Sequence, residues 1–156
     1  MNDVSVATAE AAKTEAAELL AALGAIRRVA RRSVRSSPNA GALPPARSEL
    51  LRLTARKPGI SVAEAAQELR LAPNSVSTMV SQLTADGLLT RGRVAADRRA
   101  VRLTVTDEGA ARIGQWRDIR AELAGRALER LPAADRQAIV AAVPALSRLA
   151  EQMEEL

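Results

Sequence analysis

Along most of the chain apolar residues recur at three- and four-residue steps, and only between residues 88 and 105 does the step shorten to two. Steps averaging 3.6 place side chains on one face of a helix, whereas a step of two places them on one face of a strand. From about Val6 to Val34 the positions Leu19, Leu20, Leu23, Ile26, Val29, Ala30 and Val34 predict a long amphipathic first helix. It ends in Arg31, Arg32 and Arg35, cations where a helix C-terminus favours them, followed by the turn-rich run 36–41. Pro44 and Pro45 open a second helix to about Ala55, closed by Lys57, Pro58 and Gly59.

Ser61 and Glu64 have the spacing of a capping box, so a short helix is expected from there to about Arg70. Pro73 suits the first turn of the next helix, where its missing N–H is no loss. Val76, Val80 and Leu83 mark the buried side of that helix, and Asp86 and Gly87 end it. Leu88 to Arg93 and Val101 to Val105 then read as two strands joined by a protruding loop over residues 94–100. Thr106 caps a long helix with Asp107 and Glu108 in its first turn and Ile113, Trp116, Leu123, Ala127 and Leu128 along one side. Leu131 and Pro132 interrupt it. A last helix from Ala133 or Ala134 carries Ile139, Val143, Leu146, Leu149 and Met153 on one face, with Pro144 as a candidate kink.

Composition narrows the chemistry. The 156 residues contain no Cys and no His, which excludes thiol redox switching, Cys or His nucleophiles and the usual zinc sites, and no cofactor or metal is expected. Trp116 is the only aromatic residue, so packing falls to aliphatic side chains and few rings exist for stacking on unpaired bases. No apolar run reaches a membrane span and the N-terminal stretch is acidic rather than basic, from which we expect a cytoplasmic protein without a membrane partner. No carboxylate pair lies near a nucleophile or a Gly-rich phosphate loop, so an enzyme is not expected.

The net charge of +5 is unevenly placed. Residues 1–42 carry +2, residues 43–105 carry +5 and residues 106–156 carry −2. A basic middle flanked by near-neutral helices suits a surface that meets phosphate. Within it, two short helices joined by a tight turn and followed by a hairpin give the order of a winged helix-turn-helix. On the second helix, residues 73–86, the polar positions Asn74, Ser75, Ser77, Thr78, Ser81 and Gln82 surround the apolar side with no carboxylate before Asp86. Short polar side chains let a helix approach base edges closely. The wing, residues 91–102, concentrates Arg91, Arg93, Arg98, Arg99 and Arg102 beside a single carboxylate, Asp97. Such a cluster offers phosphate contacts, and Asp97 can steady a neighbouring guanidinium.

The run LRLAPNSVSTMVSQLTADGLLTRGRVAADRRAVRLTVTDEG resembles the core of MarR-type transcriptional regulators in its turn, recognition helix, DRR wing and T-x-x-G exit to a long helix. The resemblance implies a mainly α fold with a small β-wing, in which a winged domain at 43–105 lies between a dimerisation helix and linker at 1–42 and dimerisation helices at 106–156. It implies a homodimer on double-stranded DNA with an inverted-repeat operator, repression relieved by a small-molecule effector of unspecified identity, and an effector crevice between the dimer helices and the DNA-binding lobe. It also implies that Asp97 steadies a wing arginine while Arg98 or Arg99 enters the minor groove. Two positions depart from the family's habit: Ala72 replaces a frequent Ser cap, and Thr78 and Met79 stand where an Arg often lies in the recognition helix. Weight therefore moves to the wing.

The terminal stripes point the same way, because one small winged domain cannot bury all of them, and dimerisation is expected. Arg27, Arg28, Arg31, Arg47 and Arg52 fall near the expected crevice and suit a carboxylate. The competing reading is a winged-helix protein-interaction module with little sequence-specific DNA binding.

Overall fold

The computed structural model describes the backbone of residues 2–38, 40–94 and 97–155, and the side chains of residues 10–38, 40–92 and 101–155. Among the described residues the order of elements is α1 (Asn2–Ser36), α2 (Pro45–Arg56), β1 (Ile60–Ser61), α3 (Val62–Leu69), α4 (Pro73–Ala85), β2 (Leu89–Val94), β3 (Asp97–Val105), α5 (Asp107–Glu129) and α6 (Ala133–Glu154). The mainly α class with a small β-wing is therefore what the chain adopts.

Local signals set most boundaries. The Ser61 hydroxyl accepts from the Glu64 amide at 3.2 Å and the Glu64 carboxylate accepts from the Ser61 amide at 2.7 Å, which completes the capping box of α3. These Ser61 bonds, the backbone one first, hold the exposed Glu64 carboxyl below its ordinary range. Their stabilisation is thus present above that range and is lost as pH falls through the lowered value. Arg70 ends α3 in the left-handed region, at φ 53°, and its conformation makes the sharp turn into α4. Pro73 fills the first turn of α4, and Ala72 before it supplies no side-chain cap. At the other end Gly87, at φ 72°, lets the Leu88 amide reach back to the Leu83 carbonyl at 2.9 Å. The Thr106 hydroxyl accepts from the Gly109 amide at 3.0 Å while donating to the Gly87 carbonyl at 2.7 Å, so one side chain caps α5 and ties it to the end of α4.

The sheet differs from the expectation in two respects. It has three strands in the order β1-β3-β2, because Ile60 and Ser61 pair antiparallel with Leu103 and Arg102. A two-residue strand is too short to show a period. The wing loop is also shorter than expected, since β3 begins at Asp97 and pairs with Val94 at the end of β2. The ladder slips between Arg93 and Val94, so Arg98, Arg99 and Ala100 fall between the paired positions Asp97 and Val101. Residues 97–100 (Asp97, Arg98, Arg99 and Ala100) carry no alternating apolar positions, so the sequence offers no period by which to place them in a strand.

One core joins the winged domain to the long helices. Leu50, Leu51 and Leu53 of α2, Ala65 and Ala66 of α3, Val76, Val80 and Leu83 of α4 and Leu103 of β3 are buried together with Leu88, Leu89 and Trp116. Gly109 sits where α5 crosses the sheet: an added methyl would overlap the Leu88 carbonyl oxygen and lie 2.8 Å from Val105 Cγ1. We expect Gly109→Ala to lower unfolding free energy by about 1–3 kcal/mol, the usual cost of overpacking, read as a shifted denaturation midpoint at unchanged slope.

The long helices are less enclosed. Ile26 and Val29 of α1 are 65% and 54% exposed, and Val140 and Val143 of α6 are 59% and 54% exposed. No described residue of α6 is buried. That helix continues through Pro144. No described helix is long and apolar enough to cross a membrane.

Candidate nucleic-acid interface

Burial of Val76, Val80 and Leu83 against the core turns the opposite side of α4 outward, and Asn74, Ser75, Ser77, Thr78, Ser81 and Gln82 are all exposed on it. All six residues expected on the recognition surface are therefore brought together on one open helix. Thr78 and Ser81 donate to the carbonyls of Asn74 and Ser77, each at 3.0 Å, so these hydroxyls are held along the helix. The open face contains no carboxylate before Asp86, and Asp86 is paired with Arg47 of α2 at 3.3 Å.

The wing arginines separate into two kinds. Arg91 reaches across from β2 and donates to the Ser81 hydroxyl at 2.8 Å, which places its charge beside the middle of α4. Arg102 turns elsewhere, donating to the Gly59 carbonyl at 3.1 Å and to Glu64 at 3.0 Å. It fastens β3 to the start of α3, a structural task, and leaves the cluster that the sequence suggests. Neighbouring register positions explain the division, since Arg91 lies opposite Leu103 and Arg102 opposite Gly92, on alternate faces of the ribbon. The side chains of Arg93, Asp97, Arg98 and Arg99 lie outside the described residues.

A second feature lies behind this surface. A cavity of about 300 Å³ is bounded by α1, α2, α5 and the turn before α4, with Arg27, Arg31, Arg35, Arg52 and Arg120 among its lining residues. Arg27, Arg31 and Arg52 are where the sequence places them, at such a crevice. Arg47 is instead committed to Asp86, and Arg28 lies outside the residues that line this cavity. Arg120 and Trp116 join the lining; the apolar stripe marks Trp116 for the inner side of α5, but nothing in the sequence singles out Arg120. The Arg52 guanidinium lies 5.6 Å from the Trp116 ring centroid, and its Nε is buried without a hydrogen-bond partner. Burial, and after it the nearby Arg120, hold Arg52 below its ordinary pKa; burial alone does the same for Arg120.

Trp116 also controls the connection between α1 and α2. Its indole N–H donates to the Ala40 carbonyl at 2.7 Å, and Arg112 donates to the neighbouring Gly41 carbonyl at 3.1 Å. Gly41 is at φ 51°, and a side chain there would collide with the Arg112 guanidinium. Thus α5 grips two successive carbonyls of the linker that carries α1 into the winged domain.

Residues 43–100 match the family model described as MarR family. The chain is 26% identical over 102 residues to an uncharacterized HTH-type transcriptional regulator, YwhA of Bacillus subtilis, covering 65% of this chain and 73% of that protein. Its fold is similar to that of a transcriptional regulator from Thermotoga maritima, with TM-score 0.74 and 23% identity over 89% of this chain and 98% of the other. It is also similar to a mutant of S. aureus MepR bound to an oligodeoxyribonucleotide, with TM-score 0.64 and 16% identity over 86% and 97% of the two chains.

Proposed function

From the match of residues 43–100 to the MarR family model and the fold shared with solved transcriptional regulators, we propose that the chain is a MarR-type winged helix-turn-helix regulator that binds DNA and acts as a homodimeric repressor of an inverted-repeat operator. In this reading residues 43–105 read DNA, residues 1–42 and 106–156 dimerise, and the protein works in the cytoplasm. The observation that carries it is the open polar side of α4, six short or amide side chains standing over Val76, Val80 and Leu83, each 0% exposed. Asn74 and Gln82 would meet base edges, while Ser75, Ser77, Thr78 and Ser81 permit close approach. Arg91 would meet phosphate beside α4, with Arg93 further along the ribbon, and Arg98 or Arg99 would enter the minor groove, steadied by Asp97.

Dimerisation is supported by the exposed apolar faces of α1 and α6, which a second copy would cover. Two winged domains then present two α4 helices to successive major grooves, about one helical turn apart. An effector seated in the arginine-lined cavity would act by binding better to a dimer whose spacing does not fit DNA. The cavity lies where such a change could be transmitted, between α1 and the turn before α4.

Selection of bound duplexes from a random library, followed by binding measured across salt concentrations, tests the reading. We expect log K to fall with log salt by about 0.9 for each phosphate contact. A slope near zero with no selected sequence would instead favour a protein-docking module. Arg99→Ala is expected to weaken operator binding by roughly tenfold or more with the dimer intact, and Asp97→Ala to weaken it less.

A further inference from the structure

We propose that the cavity between α1, α2 and α5 is a binding site for a small molecule carrying two or more negative charges, held by Arg27, Arg31, Arg52 and Arg120 over Trp116. This deepens the effector reading above and rests on it for any consequence on DNA, though not for binding itself.

The argument begins with charge. Among the described residues, five arginines line the cavity against one carboxylate, Glu49, which stands 3.7 Å from Arg52. A ligand with a single charge would leave three of those four excess charges uncompensated, whereas a dicarboxylate, tricarboxylate or phosphorylated compound would offset half of them or more. Geometry adds direction. Arg52 lines the cavity with its guanidinium 5.6 Å from the Trp116 ring centroid, and its ion-pair partner Glu49 stands at 3.7 Å, beyond hydrogen-bond distance. Planar guanidiniums present paired donors that match carboxylate and phosphate oxygens. Arg120 has its Nε bonded to the Trp116 carbonyl at 2.7 Å, which holds the side chain in place beside the ring.

Size and lining limit the ligand further. About 300 Å³ is at the small end of the range for small-molecule sites, about 300–1,000 Å³. Leu43 and Leu71 supply apolar wall, so a short hydrocarbon or sugar frame between the charged groups is accommodated. Leu71 belongs to the turn before α4, and Trp116 holds the linker through Ala40. A bound anion therefore touches both parts whose relative position sets the spacing of the two α4 helices in a dimer.

Trp116 makes the test direct, being the only aromatic residue in the chain. Its emission is followed in the full-length protein during titration with citrate, with pyrophosphate and with acetate, at constant ionic strength. A saturable change with citrate or pyrophosphate is expected, with half-saturation at least tenfold below that for acetate. R27Q/R31Q, altering two exposed side chains of α1, should raise that half-saturation at least tenfold with circular dichroism unchanged. R98A/R99A, which removes wing charge, should leave the titration as it was. No saturable response, an equal response to acetate, indifference to R27Q/R31Q, or loss of the response in R98A/R99A each overturns the site. Operator binding measured in parallel separates the two readings. A flat titration in a protein that binds its operator removes this site alone, and a normal titration in a protein that binds no DNA removes the repressor function alone.

Discussion

Trp116→Ala is expected to lower the unfolding free energy by about 3–5 kcal/mol, a larger stability effect than that of Gly109→Ala. The ring is 1% exposed, and its removal opens a cavity at the place where α5, α2 and the linker meet. Three further losses accompany the missing volume. The Ala40 carbonyl, buried in a residue of 0% exposure, loses its indole donor. Arg52 loses the ring face that lies 5.6 Å from its guanidinium. The linker loses one of the two carbonyl bonds by which Trp116 and Arg112 hold it. Trp116→Phe separates these effects, since it retains most of the volume and the ring face but not the donor, and about 1–2 kcal/mol should be lost. The measurement is chemical denaturation followed by circular dichroism, because both variants lack the fluorophore. Protein concentration is held fixed, because folding of a dimer depends on it. Equal losses in the two variants would show that the hydrogen bond, not the packed ring, is what matters. A loss below about 1 kcal/mol for alanine would remove Trp116 from its place at the centre of the fold.

Signals that act within a few residues are legible in the sequence itself. The Ser61 and Glu64 box, Pro73, Gly87 and Thr106 each satisfy or release backbone groups of their own turn, and each marks an element boundary where the chain places one. The polar side of α4 is legible for a similar reason, since a helix that buries Val76, Val80 and Leu83 must expose what lies opposite. What depends on distant partners is not. Strand β1 exists because Ile60 and Ser61 meet β3 more than forty residues later. Helix α1 begins at Asn2, a few residues earlier than the apolar stripe suggests. Arg91 and Arg102 are alike as letters in a basic run, and only the register of β2 on β3 sends one to Ser81 and the other to Glu64. Trp116 belongs to the apolar stripe of α5 by its spacing, but its bond to a carbonyl 76 positions earlier has no local signature.

The effect expected to be largest on function lies far from the DNA-facing surface, in α6. In I139D/V143D we expect a protein that is monomeric at micromolar concentration and binds its operator at least about a hundredfold more weakly. Ile139 and Val143 are 47% and 54% exposed on a 22-residue helix none of whose described residues is buried. A helix so placed gains little from its own chain and depends on a surface outside it. If a second copy supplies that surface through a two-fold axis, every substitution appears twice, and four carboxylates enter a region that should be dry. Desolvating unpaired charges costs several kcal/mol each, more than a dimer of ordinary affinity withstands. The isolated winged domains would then meet half-sites one at a time, without the gain that comes from linking two binding events. Arg148→Ala is the matched control, since nine residues from Ile139 at 100° each place it on the opposite side of α6. Light scattering reports the dimer and a titration of labelled operator reports binding. A double variant that stays dimeric and binds normally would mean that α6 is not the dimer surface; a monomer that still binds tightly would mean that one winged domain suffices.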